Sequence, residues 1–116
     1  MFTIAFLTRR VPGMTRDEFF RHYHETHFPL ASRLPGLVSY QQNRIGHEDG
    51  IWAEPESFPD YDALSFYSFD SREAADAAFS SPEGQALNED TGTFMDWPSV
   101  LSIPVEQTQR YDRGTA

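Results

Sequence analysis

Four short strand patterns alternate with two helical patterns along this chain, and their order restricts the possible folds more than any other feature. Strand patterns, with apolar side chains at alternate positions or on both faces, cover residues 2–8, 37–45, 62–69 and 99–105. The helical patterns, with apolar side chains three and four residues apart, follow the first and the third strand. The order is therefore βαββαβ, and a chain of 116 residues holds one domain of this kind.

The first helical pattern begins with a capping box. The Thr15 hydroxyl can accept a hydrogen bond from the backbone three residues on, and the Glu18 carboxylate can accept one from the backbone of Thr15. An apolar stripe follows, formed by Phe20, Tyr23, His27, Leu30, Ala31 and Leu34. Pro29 lies within this stripe and has no N–H to donate, so we expect a kink or break over residues 26–28.

The remaining patterns complete a ferredoxin-like fold. Ser71 can cap a helix that runs to Phe79, and a further helical stretch begins at Ser81 with Pro82 in its first position. Pro104 places the last strand at a sheet edge or ends it early. We predict an α+β domain over residues 1–106, with a four-stranded antiparallel sheet, two helices on one face and a polar tail over 107–116.

The strands carry more apolar surface than two helices can cover. One face of the sheet should be polar if it faces water, yet three of the strands carry apolar side chains on both faces. These side chains are Phe2, Ile4, Phe6, Ala5 and Leu7 in the first strand, Leu64, Phe66, Ala63, Tyr67 and Phe69 in the third, and Val100, Leu101, Ile103 and Val105 in the fourth. A bare apolar face is rare on a monomer, and burial of such a face stabilises by about 25 cal/mol per Å². We therefore predict a homodimer with two sheets packed face to face around a two-fold axis.

Charge and composition exclude several classes of function. The net charge is −9, from 18 acidic and 9 basic residues without a basic cluster, so neither nucleic acid nor an anionic membrane is an expected partner. The chain has no cysteine, which excludes disulfides, thiol nucleophiles and cysteine-ligated metals. No signal peptide and no apolar run of about 20 residues is present, so we expect a cytoplasmic protein with a small-molecule ligand.

A long irregular segment separates the second and third strands. Residues 47–61 contain acids, one glycine, two prolines and an isolated Trp52. Loops of this length are uncommon in small domains and often cover a binding site. A lid and a solvated loop are both open interpretations, and Trp52 is a candidate pocket residue.

Three of the four histidines lie in the first helical pattern. His27 is on the apolar stripe beside the expected kink, so it is either a core residue bonded to a carbonyl that Pro29 leaves free, or a general acid/base. His24 is a secondary candidate. A His24–His27 pair would need further metal ligands, and we predict no metal site. His22 points away from the stripe and is expected to be solvated.

Tyr40 and Asp90 could assist His27. Tyr40 is either a core aromatic or a hydrogen-bond donor at the rim of a pocket, and Asn43 lies on the opposite strand face unless a bulge intervenes. Asp90 is either a helix-end acid or, if it points inward, a partner that orients His27. The sequence has no phosphate loop, nucleophile elbow, or nicotinamide or flavin fingerprint.

Two groups of motifs resemble the EthD family. The first half carries MTRDEFF, Tyr23, His27, PLA and LPGLVSYQQN; the second carries YDAL, FDS, AAFSSP, Asp90 and Phe94. The match covers residues 4 to 106, and the helix histidine, the Leu-Pro-Gly turn and the Tyr-Asp strand start are specific in combination.

The resemblance implies a dimeric α+β barrel that works without a cofactor. Similar proteins include a methylmuconolactone methylisomerase, proteins of ether-degradation clusters, and polyketide-tailoring dehydratases or cyclases. In the isomerase-like members, the histidine matching His27 lies in the cleft between helices and sheet, near the tyrosine matching Tyr40. The cysteine that some members place in this site is absent here.

Our leading hypothesis is a cofactor-independent enzyme acting on a small, apolar aromatic, lactone or polyketide-like compound by isomerisation, elimination or cyclisation. His27 would move a proton, Tyr40 would donate to the oxyanion, Asp90 would orient the imidazole, and His24 would be the reserve candidate. The expected pocket residues are Tyr23, Asn43, Trp52, Phe66 and Trp97. A non-catalytic metabolite-binding or accessory protein, a cofactor-free monooxygenase and a haem-binding protein are the alternatives.

Overall fold

The computed structural model describes residues 1–46 and 60–114, and it has the predicted βαββαβ order. The elements are β1 (Phe2–Thr8), α1 (Arg16–His22), a π-helical turn (Tyr23–His27), α2 (Phe28–Ala31), β2 (Leu37–Arg44), β3 (Ala63–Phe69), α3 (Arg72–Ser80), α4 (Pro82–Phe94), a 3₁₀ turn (Trp97–Ser99) and β4 (Leu101–Val105). Most of the predicted loop, including Trp52, lies outside the described residues.

The strands form one antiparallel sheet in the order β2-β3-β1-β4. This order confirms the ferredoxin-like fold, in which the two central strands come from different halves of the chain. β4 is an edge strand, as Pro104 predicts, and its register pairs Pro104 with Ile4 of β1. The predicted start of this strand at residue 99 was early, because residues 97–99 form the 3₁₀ turn.

The first helix contains the predicted capping box and an irregularity near Pro29. The Thr15 hydroxyl accepts from the Glu18 N–H, and the Glu18 carboxylate accepts from the Thr15 N–H. The predicted kink is a π-helical turn, in which the Phe28 N–H donates to the carbonyl of Tyr23, five residues earlier. This wider turn ends just before Pro29, which occupies the start of α2.

The π turn also changes which side of the first helix is buried. Phe19 is fully buried, whereas Phe20, which the stripe predicted to be inside, is only half-buried. Fully buried or nearly buried positions recur every four residues, at Phe19, Tyr23, His27 and Ala31. A spacing of four is wider than the 3.6-residue α-helical period, because the π turn inserts extra chain.

The predicted second helix is two helices that meet at Ser81. The Ser81 hydroxyl accepts from the Gly84 N–H and so caps α4. A Cβ on Gly84 would lie 2.5 Å from the backbone oxygens of Ala78 and Phe79, so glycine allows the close junction of α3 and α4. All helices cover one face of the sheet, and the core between them is centred on Tyr67, Phe69, Leu87 and Phe94.

The outer face of the sheet is apolar at the β4 edge. Leu101, Ile103 and Val105 are 47%, 44% and 38% exposed. The β2 edge differs, because Ser39 and Gln41 line the same outer face there. Residues 106–114 continue from β4 as exposed chain without helix or strand. Within the described residues, no helix combines the length and hydrophobicity that a bilayer span requires.

Candidate active site

A mostly apolar cleft lies between the inner face of the sheet and α4. The space in it that a water-sized sphere can enter is about 50 Å³. Its lining comes from β1, the π turn, β3, α3, α4 and the segment before β4: Phe6, Thr8, His27, Ser65, Tyr67, Phe79, Leu87, Asn88, Thr91, Met95, Trp97 and Val100. This composition suits an apolar group with a few hydrogen-bonding atoms.

His27 is the titratable base in this cleft. It ends the π turn, is 3% exposed, and its Nδ1 lies 2.9 Å from Oδ2 of Asp90. The imidazole therefore pairs with a carboxylate, and not with a carbonyl that Pro29 leaves free. Burial lowers the pKa of His27, while the hydrogen bond and the charge of Asp90 oppose this effect. A neutral ring that donates from Nδ1 keeps the lone pair on Nε2.

Aromatic rings hold the His27 imidazole in place. The Phe94 ring meets it edge to face at 5.0 Å, and the Tyr23 ring lies nearly parallel to it at 5.9 Å. Phe94 is fully buried and Tyr23 is 2% exposed. The imidazole is thus fixed by apolar packing on its faces and by Asp90 at Nδ1.

Asp90 binds a second histidine that the sequence interpretation assigned to solvent. Nε2 of His22 lies 2.7 Å from Oδ1 of Asp90, and the His22 side chain is 29% exposed. The expectation that His22 is solvated was wrong. Five residues make about 1.4 turns of an α-helix, but about one turn of a π-helix, so the π turn brings His22 and His27 toward the same side.

Tyr67 is the tyrosine that lines the cleft, and the sequence analysis did not propose it for the site. Tyr40, the proposed donor, lies behind it with ring centroids 4.5 Å apart. The Tyr40 hydroxyl accepts a hydrogen bond of 2.8 Å from the Gln42 side chain. Burial raises the pKa of Tyr40, and raises that of Tyr67 well above its ordinary value. Both hydroxyls therefore stay protonated and can donate at neutral pH.

Thr8 contributes an unsatisfied hydroxyl to the cleft. Its Oγ1 is buried without a hydrogen-bond partner among the described residues. The Thr91 hydroxyl, in contrast, donates to the Leu87 carbonyl at 2.9 Å. A buried hydroxyl without a partner costs free energy, and a polar atom of a ligand in the cleft would supply the missing bond.

The other predicted site residues are dispersed. Trp97 lines the cleft and is 49% exposed. Phe66 belongs to a depression on the outer face of the sheet. Asn43 donates to the Leu64 carbonyl, and His24 is exposed beside the β2 edge. Trp52 lies outside the described residues.

Across residues 1–46 and 60–114, no three histidine, aspartate or glutamate side chains form a group suited to a metal ion. Each oxygen of Asp90 instead accepts from or pairs with one imidazole nitrogen. The arrangement is a hydrogen-bonded carboxylate–imidazole pair of the kind that orients a general base.

Comparison with known proteins places this chain in a family. The model of the EthD domain matches residues 11–98. The chain belongs to the EthD family. An uncharacterised 11.0 kDa protein from the thcB–thcC intergenic region of Rhodococcus erythropolis is 29% identical over 90 residues, which are 78% of this chain and 82% of that protein.

Solved structures share the fold at low sequence identity. An EthD family protein from Bacillus halodurans C-125 matches with a TM-score of 0.73 and 22% identity, over 93% of this chain and all of that one. A dimeric ferredoxin-like protein of unknown function from Thermobifida fusca has a TM-score of 0.66 and 14% identity, over 91% and 90%. SnoaB, a cofactor-independent oxygenase from Streptomyces nogalater, has a TM-score of 0.61 and 14% identity, over 93% and 95%.

Proposed function

We propose that this EthD protein is a cofactor-independent enzyme that moves a proton on a small, largely apolar aromatic, lactone or polyketide-like compound. The observation that carries the proposal is the buried His27–Asp90 pair, 2.9 Å long, at the wall of an apolar cleft. The reaction is an isomerisation, an elimination or a cyclisation, because each of these begins with removal of a proton beside a carbonyl.

The reaction begins with proton transfer from substrate carbon to His27. Nε2 of the neutral imidazole takes the proton, and the electron pair of the C–H bond moves to the carbonyl oxygen as an enolate. Asp90 stabilises the imidazolium that forms, because its carboxylate accepts from Nδ1. The imidazolium then returns the proton to another carbon or to a leaving oxygen, which regenerates the neutral base.

The tyrosines and Thr8 are suited to bind the developing oxyanion. Tyr67 lines the cleft and its hydroxyl stays protonated, so it can donate as negative charge develops on the substrate oxygen. The unsatisfied Thr8 hydroxyl is a second donor on the same lining. Tyr40 supports Tyr67 from behind, and we propose no direct role for His24, Asn43 or Phe66 in the cleft.

We also propose that the protein acts as a homodimer with the outer sheet faces together. The exposed Leu101, Ile103 and Val105 side chains favour burial of this face. The ferredoxin-like neighbour from Thermobifida fusca is dimeric, which supports a homodimer here.

A second candidate is cofactor-independent oxygenation, which the fold similarity to SnoaB favours. His27 would remove the proton of an anthrone-like phenol, and the electron-rich anion would react with molecular oxygen as co-substrate. The same base and the same apolar cleft serve both reactions.

The test combines a substrate panel with one matched pair of variants. Lactones, polyketide-like ketones and anthrone-like phenols are incubated with the protein, products are followed by mass spectrometry, and oxygen uptake is measured in parallel. His27→Gln should lower turnover by about 10²–10⁴-fold, because it removes the base and keeps the volume. His24→Gln, at an exposed position of the same helix, should leave turnover unchanged.

Each result of this test has a defined meaning. Product without oxygen uptake supports isomerisation, elimination or cyclisation, and product with stoichiometric uptake supports oxygenation. Turnover of His27→Gln within about threefold of wild type would refute the general-base role. Ligand binding without any product would make the protein a binding or accessory protein.

A further inference from the structure

The Asp90 carboxylate is shared between a buried and a partly exposed imidazole. Oδ2 pairs with Nδ1 of His27 at 2.9 Å, and Oδ1 pairs with Nε2 of His22 at 2.7 Å. The exposed fractions of the side chains fall from 29% at His22 through 10% at Asp90 to 3% at His27. The three groups thus form a chain that leads from solvent to the proposed base.

We infer that His22 is a positioning residue that holds Asp90 toward His27 and makes the base respond to the acidity of the solvent. This inference rests on the proposed role of His27 as the base and adds the regulation of that base. Nothing in the proton transfer itself requires His22, since its ring does not line the cleft.

The positioning effect follows from the geometry of the carboxylate. With both oxygens bound, Asp90 cannot rotate about its last side-chain bond without breaking a hydrogen bond. Loss of His22 would free Oδ1, and a carboxylate that is only 10% exposed would then turn toward water. The His27 ring would lose the fixed partner that keeps the proton on Nδ1.

The regulatory effect follows from charge. When His22 takes up a proton, its positive charge offsets the negative charge of Asp90. The charge of His22 also opposes protonation of His27, and both effects lower the proton affinity of the buried ring. A positive charge on the outer imidazole therefore favours the neutral, basic form of the inner imidazole.

His22 is coupled to the proposed base His27 because both histidines bind the same carboxylate, that of Asp90. Phe94, which lies on α4 like Asp90, packs against both imidazoles, with its ring 4.4 Å from His22 and 5.0 Å from His27. The Glu18 carboxylate is engaged at the helix cap by Thr15. The other titratable or charged groups on the neighbouring elements are Arg16, Asp17, Arg21, Tyr23, His24 and Glu25 on the first helix, Glu83 and Glu89 on α4, Tyr40 and Arg44 on β2, and Tyr67 on β3.

The test is a pH titration of the imidazole ¹⁵N and ring-proton NMR signals of the intact, labelled protein. It needs no substrate, so its outcome does not depend on whether turnover is found. In wild type, the His27 signals should show a second inflection at the pH where His22 titrates. Single, independent transitions for the two rings would overturn the inference.

Three variants distinguish the positioning effect of His22 from the effect of its charge. In His22→Gln, the amide can still donate to Asp90 but cannot titrate, so the second inflection should vanish and the proton-binding constant of His27 should rise at least about threefold. In His22→Phe, the slowly exchanging Nδ1–H signal of His27 should also be lost. His24→Gln should change neither property.

A purely structural role for His22 gives a different result. Both His22 variants would then be less stable, but the titration midpoint of His27 and its Nδ1–H signal would match wild type. If His22→Phe does not fold, the wild-type titration and His22→Gln still decide the question, since glutamine keeps the hydrogen bond.

Discussion

Asp90→Asn is the substitution that tests the carboxylate–imidazole chain by its effect on stability. Asparagine keeps the volume, but it offers one acceptor oxygen in place of two and puts an amide N–H₂ against an imidazole. The buried bond to His27 is charge-assisted and contributes about 1.5–3 kcal/mol. The His22 side chain is 29% exposed, so its bond to Asp90 contributes less than about 1 kcal/mol to stability. The expected loss at neutral pH is about 1.5–4 kcal/mol.

The assay is urea unfolding followed by circular dichroism, at one fixed protomer concentration because a dimer gains stability with concentration. Glu89→Gln is the matched control, since it removes a carboxylate from the adjacent exposed position of α4. This control should stay within about 0.5 kcal/mol of wild type. Asp90→Asn within about 0.5 kcal/mol of the control would refute the claim that Asp90 binds both imidazoles.

Three further predictions follow from the fold and the site. The pKa of His27 is lowered by burial, so the unfolded chain binds more protons between the folded pKa and about 6.5; wild-type stability should therefore rise as the pH rises through that window, and His27→Gln should lack this part of the slope in unfolding titrations. Gly84→Ala should cost about 1–3 kcal/mol in urea unfolding, because its Cβ would meet two backbone oxygens at 2.5 Å, and a stabilised variant would contradict the packing of α3 on α4. Ile103→Lys should convert the proposed dimer to a monomer in size-exclusion chromatography with light scattering, and a dimer that is present in wild type and unchanged in the variant would exclude the outer sheet face as the interface.

The fold was predictable because the sequence features that specify it are local. The capping box at Thr15, the serine caps at Ser71 and Ser81 and the edge-strand Pro104 each act within a few residues of chain. Their order leaves few ways to pair four strands. Which side of the first helix is buried was not predictable in the same way, since it changes at the π turn, where Phe19 and Tyr23 pack against Phe94 from the other half of the chain.

The site was predictable only in part. His27 and Asp90 could be found because a polar residue on an apolar stripe needs a partner, and the structure joins them. Alternation in β3 places Phe66 and Tyr67 on opposite faces of the sheet, but both faces are apolar, so the pattern does not indicate which of them meets the helices. Tyr67 was therefore missed as a cleft residue. His22 was missed because its direction depends on the π turn, which no residue type specifies.

The central claim is that His27 is a neutral imidazole with its proton on Nδ1 and a free Nε2 at the cleft. Long-range ¹H–¹⁵N correlation spectra of the ring report the tautomer directly. At pH 7.5 we predict one protonated nitrogen, Nδ1, and an Nε2 shift typical of an unprotonated nitrogen. A doubly protonated ring, or a proton on Nε2, would contradict the account.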